Sequence, residues 1–150
     1  MIYLHGSAQR KIHRAAIANG WWLDEKPIQN QDPSWTTSAV TYRRGTRDYV
    51  TVQYGGLYSR FLRASAPQRY MFTVATALEY LDRPFRGSPP PPLEVPDETC
   101  VVTVGKAVHT FADVAEAKAF ADGSVGSNGP VTEYVWEGGA YLQIRERGGW

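Results

Sequence analysis

Cysteine is almost absent from this chain. Cys100 stands alone in 150 residues, so no intramolecular disulfide can form and the fold must rest on packing. Long apolar runs are missing as well, and no stretch approaches the length of a membrane span. The first twenty residues lack the apolar core of a signal peptide, because Arg10, Lys11 and Arg14 interrupt them. These absences predict a soluble protein of the cytoplasm with no membrane partner.

Catalytic signatures are also missing. His5, His13 and His109 fall at no metal-ligand spacing, and none adjoins Cys100. Cys100 lies in a β-branched run, Cys-Val-Val-Thr-Val, and reads as a small buried hydrophobe. The pairs Gly55-Gly56, Gly138-Gly139 and Gly148-Gly149 match no phosphate-binding fingerprint. Asp24-Glu25 and Asp97-Glu98 are neighbours whose side chains point apart, so neither forms an acid/base pair by itself. No catalytic, cofactor-binding or metal-binding residue is readable. A non-enzymatic protein without cofactor is therefore expected.

What the chain does hold is aromatic mass and a split of charge. Five Trp, nine Tyr and five Phe can fill a core with few residues. The net charge of +1 hides an asymmetry. Residues 1–86 carry 12 Lys+Arg against 6 Asp+Glu, and residues 87–150 carry 4 against 9. Six of the ten prolines fall within residues 84–98, where composition and charge change together. Pro89 to Pro92 should form an extended polyproline II segment. A linker is its commoner role, and a ligand for an aromatic groove is the other. The reading is thus an α+β protein with a basic lobe at 1–83, a Pro-rich linker at 84–98 and an acidic lobe at 99–150.

Local patterns predict the elements of each lobe. Residues 1–6 are ambiguous between a strand and a lead-in. Ser7 and Gly20 bracket a helix at about 8–19. Asp24 to Trp35 is irregular around Pro27 and Pro33. Residues 37–63 alternate as a three-stranded meander, with turns at Gly45-Thr46 and Gly55-Gly56. Ser65-x-x-Gln68 resembles a capping box with Pro67 in the first turn. It predicts a helix to about Asp82 with a stripe of Met71, Val74, Ala75, Leu78 and Leu81. The first lobe therefore reads α-β-β-β-α. In the second, a hairpin turns at Gly105-Lys106, Asp113 caps a helix that Gly123 stops, and a second hairpin turns at Gly138-Gly139. That lobe reads β-β-α-β-β.

The candidate site is basic. Residues 1–86 hold ten arginines and two lysines. Guanidinium groups bind phosphate and carboxylate bidentately and stack on planar groups. Arg43, Arg44 and Arg47 surround one predicted hairpin tip beside Tyr49, and Arg60 and Arg63 follow on the next strand. These six residues are the expected partner-binding set. The expected partner is a protein, bound as an inhibitor or adaptor would bind it. Nucleic acid gripped by the arginine-rich hairpin is the alternative, and a virion or scaffold role is a third. The basic lobe could also dock on the acidic one.

Two resemblances follow from these residues. The α-β-β-β-α order is similar to the double-stranded RNA-binding domain. That family grips phosphates with a lysine cluster at the start of its second helix, where this chain has Ser65-Ala66-Pro67-Gln68-Arg69. The second lobe runs Val108-His109-Thr110-Phe111 into Glu116-Ala117-Lys118-Ala119-Phe120-Ala121. It looks like the small β-β-α modules of bacteriophage proteins. With its Arg/Ala/Gly-rich usage, the chain resembles an accessory protein of an actinobacterial phage.

Overall fold

Turn residues place most of the strands. The computed structural model describes residues 2–24, 38–56, 59–126 and 129–147. The predicted loop around Pro27, Pro33 and Trp35, the predicted start of the third meander strand at Leu57 and the Gly148-Gly149 end lie outside the described residues. The protein is α+β, and its chain divides into two units. One is His5–Pro92; the other joins Met1–Leu4 to Leu93–Trp150.

The first unit opens with α1 (Ser7–Ala18). Gly6 is its N-cap, one residue before the predicted Ser7, and Gln9 does the capping. The Gln9 amide oxygen accepts from the His5 and Gly6 backbone N–H groups at 2.9 and 3.0 Å. Two backbone donors just ahead of the helix are thereby satisfied. Five strands follow in spatial as well as chain order: β2 (Trp22–Asp24), β3 (Ser38–Arg44), β4 (Asp48–Gly55), β5 (Arg60–Ala66) and β6 (Arg69–Met71). All their pairings are antiparallel.

Three corrections concern this sheet. The three-stranded meander gains an edge strand on each side. The predicted helix from Ser65 is instead the end of β5, a turn and β6. Pro67 and Gln68 form that turn, with Gln68 at φ 71°, and Ala66 pairs with Arg69 across it. The helix α2 (Val74–Leu81) begins later, where Thr73 Oγ1 accepts from the Thr76 N–H at 3.1 Å. The Gly55-Gly56 turn is also longer than predicted, since Gly55 pairs with Arg60.

The pleat sorts the strands into two faces. Val40, Tyr42, Val50, Val52, Tyr54, Ala64, Ala66 and Met71 are buried. Ile12 and Ala16 of α1 and Ala77 and Leu81 of α2 are buried too. The helices pack on each other and on the sheet. The Trp21 indole N–H donates to the Leu81 carbonyl at 2.9 Å, tying the end of α1 to the end of α2. Burying each such Val, Leu or Met stabilises the fold by roughly 1.5–3 kcal/mol.

The other unit has β1 (Tyr3–Leu4), β7 (Cys100–Val104), β8 (Ala107–Phe111), α3 (Val114–Ser124), β9 (Val131–Glu137) and β10 (Ala140–Arg147). The sheet order is β1-β10-β9-β7-β8. The ambiguous first residues resolve as β1, parallel to β10. Gly105-Lys106 and Gly138-Gly139 make two-residue turns, with φ of 61° and 94° at the second pair. Asp113 caps α3 by accepting from Ala115 N–H at 2.8 Å. The helix runs one residue past Gly123. Cys100, Val102, Val104 and Val131 pack with Ala117 and Ala121 of α3, so Cys100 is a core residue.

Candidate functional site

Strand alternation decides which arginines can meet a partner. On β3, Val40, Tyr42 and Arg44 point to the helix side, while Thr41 and Arg43 point to the outer face. Arg44 is therefore a core residue, 2% exposed, and leaves the predicted partner-binding set. Its guanidinium lies 4.3 Å from the Trp21 ring and 4.6 Å from the Phe85 ring. Its Nη1 donates to the Arg83 carbonyl at 2.9 Å and lies 3.5 Å from the Asn19 carbonyl. Asn19 ends α1, and Arg83 follows the end of α2. A cation at two helix C-termini meets the negative ends of both dipoles. Asp48, directly opposite on β4, pairs with it at 3.5 Å and with Arg83 at 3.0 Å.

The other five predicted residues stay near the outer face or its rim. Arg43 and Tyr49 are cross-strand partners, and the guanidinium lies 5.9 Å from the Tyr49 ring. Arg43 also donates to Asp24 of β2. Arg47 is exposed in the β3–β4 turn. Arg63 donates to the Gln53 amide oxygen at 2.7 Å and lies 6.0 Å from the Tyr70 ring. Arg60 is exposed where β5 begins.

The register builds a grid on this face. One row reads Trp22, Arg43, Tyr49. The next reads Asp24, Thr41, Thr51, Ser65, Tyr70. A third reads Ala39, Gln53, Arg63. Thr41 and Thr51 share a hydrogen bond of 2.9 Å across the middle. Leu62 is the extra residue of a β-bulge between β4 and β5. Its side chain covers Gly55, where a Cβ would sit 2.8 Å from Leu62 Cδ1. Leu62, Tyr70 and Phe72 are 49%, 64% and 70% exposed, and the Tyr70 and Phe72 rings stack at 6.4 Å.

Sequence reasoning missed Leu62, Tyr70 and Phe72. The last two fell inside the misplaced helix, and the bulge hides the phase of Leu62. The turn chemistry of Pro67-Gln68 was the signal that could have recovered them.

Several other titratable groups belong to packing. His13 is buried, with Nδ1 2.9 Å from the Tyr42 hydroxyl. Burial, with a smaller contribution from Tyr54, holds the Tyr42 phenol well above its usual range. Burial also raises Tyr54. In the second unit, Glu133 is held by Arg145, and Asp122 pairs with Arg145 and Arg147 at 3.2 and 2.6 Å. His109 packs on Phe120 with ring centres 4.5 Å apart. Among the described residues, no group of three His, Cys, Asp or Glu side chains could hold a metal ion. No described helix is long and apolar enough to cross a membrane. Comparison with family models, with curated proteins and with solved structures returns no match to this chain.

Proposed function

We propose that this chain is a non-enzymatic binding protein that engages a protein partner through the outer face of the β2–β6 sheet. One observation carries the reading: Leu62, Tyr70 and Phe72 stand exposed beside Arg60 and Arg63. Large apolar side chains grouped on a surface mark interaction sites. Tyr and Arg are also the residue types that most often dominate binding energy. The described part of this face carries arginine and no lysine, as interface cores do. We place its action in the cytoplasm, as an inhibitor or adaptor of the kind a phage accessory protein would be.

The test is affinity capture by the immobilised full chain. A stoichiometric protein partner is expected. Leu62→Ala/Tyr70→Ala/Phe72→Ala should weaken capture by about 2 kcal/mol or more, roughly thirtyfold. Absence of any stoichiometric protein under gentle conditions would count against the reading.

A second reading rests on the guanidinium-over-ring pairs, Arg43 on Tyr49 and Arg63 on Tyr70. Rings can stack on unpaired bases while guanidiniums meet phosphates. Binding to a labelled single-stranded oligonucleotide, across a salt series, separates the two. Affinity that falls steeply with salt favours nucleic acid, and no binding at low salt favours protein.

A further inference from the structure

We propose that Arg86–Pro92 is a second, independent docking element: a displayed polyproline II ligand for an aromatic-lined groove that carries carboxylates at one end. The sequence of this segment is Arg-Gly-Ser-Pro-Pro-Pro-Pro. Four consecutive prolines have fixed φ and no backbone N–H, which leaves polyproline II as the natural conformation. That helix has about three residues per turn, so positions three apart share a ridge. Pro89 and Pro92 therefore line one ridge, Pro91 falls on a second and Pro90 on a third, while a bend at Gly87 sets Arg86 ahead of this helix. A groove that grips the first two ridges meets three prolines, with the Arg86 cation at one end beyond the bend.

The structure displays this segment on a fixed root. Arg86 to Pro92 takes up neither helix nor strand, and every residue in it is exposed. Just before it, the Phe85 ring packs on the Arg44 guanidinium at 4.6 Å. Arg44 is itself held by the Arg83 carbonyl and Asp48. A Cβ on Gly87 would fall 2.1 Å from the Phe85 ring, so glycine is what lets the chain pass it. A spacer that only had to span a gap would need neither the aromatic anchor nor the glycine. An anchored, stiff ligand loses little entropy on binding. Among the described residues no ion pair to a carboxylate involves Arg86.

The ligand's chemistry selects its partner. Proline ridges fit between Trp and Tyr rings, and exposed carbonyls accept from their N–H and O–H groups. Arg86 needs a carboxylate beyond the last ring. An SH3 domain with a Trp/Tyr-lined groove and an acidic loop has this arrangement and serves as the probe. The isotope-labelled domain is titrated with the full chain, and the dissociation constant is read from chemical shifts. Saturable binding at the groove is expected. Arg86→Ala, Pro89→Ala and Pro92→Ala should each weaken it about tenfold. Pro90→Ala, on the ridge facing away, should change it less than about twofold. All four sites are exposed, and unchanged thermal melts would confirm that the variants fold. The proposal is overturned if no saturable shift occurs, if Pro90→Ala costs as much as Pro89→Ala, or if Arg86→Ala has no effect. It is also overturned if an excised 84–94 peptide binds the groove and the folded chain does not.

Discussion

Arg44 shows how one side chain can look functional in sequence and be structural in the fold. It sits within Arg-Arg-Gly-Thr-Arg, the most basic stretch of the chain. The pleat then turns it inward, between Trp21 and Phe85 and against Asp48. Removing one partner of a buried ion pair leaves groups unsatisfied. Arg44→Met should thus cost about 3 kcal/mol in urea unfolding, at the lower end because Asp48 keeps Arg83. Arg47→Ala, three residues on and exposed, should stay within about 0.5 kcal/mol of the parent. Equal effects would contradict the burial of Arg44.

Two buried tyrosines make a similar contrast. The Tyr42 hydroxyl meets His13, whereas the Tyr54 hydroxyl is buried with no hydrogen-bond partner among the described residues. Tyr42→Phe should destabilise by about 1–2 kcal/mol. Tyr54→Phe should be neutral or stabilising by about 1 kcal/mol, since it removes an unsatisfied group. Denaturant midpoints of the two variants check the opposite signs.

At the scale of elements, the β5–β6 hairpin carries the largest correction. Ser65-Ala66-Pro67-Gln68 satisfies the local rules for a helix start. It also satisfies those for a turn with Pro at the first central position and a positive φ at the second. Packing decides between them: in the hairpin, Ala64, Ala66 and Met71 all reach the buried side of the sheet. Gln68 bears the cost, because a non-glycine residue at φ 71° is strained by about 1–2 kcal/mol. Gln68→Gly should raise stability by about 1 kcal/mol once its added chain entropy is deducted, measured by thermal and urea unfolding.

Legibility followed the range of the interaction. The Gly105-Lys106 and Gly138-Gly139 turns and the Asp113 cap are local, and each was readable. The inward placement of Arg44 was readable in principle, since Val40, Tyr42 and Arg44 alternate with Thr41 and Arg43. The pairing of Tyr3-Leu4 with Tyr141-Leu142 was not, because nothing in a two-residue strand names a partner so far along the chain. The Leu62 bulge shifts the alternation of β5 by one residue and so conceals which face its arginines occupy.

At the scale of the whole molecule, sequence charge and surface charge differ. Of the basic residues in His5–Pro92, Arg43 is paired with Asp24, and Arg44 and Arg83 share Asp48. Arg145 and Arg147 are likewise matched to Asp122 and Glu133 in the other unit. The case for a binding role therefore rests less on the +6 of the first half than on where Arg60, Arg63, Leu62, Tyr70 and Phe72 stand. The most direct test is amide hydrogen exchange of the full chain, alone and with its captured partner. Our account predicts that added protection centres on residues 60–72 and extends to residues 41–51 across the same face. Protection confined to α1, or to residues 93–147, would contradict it.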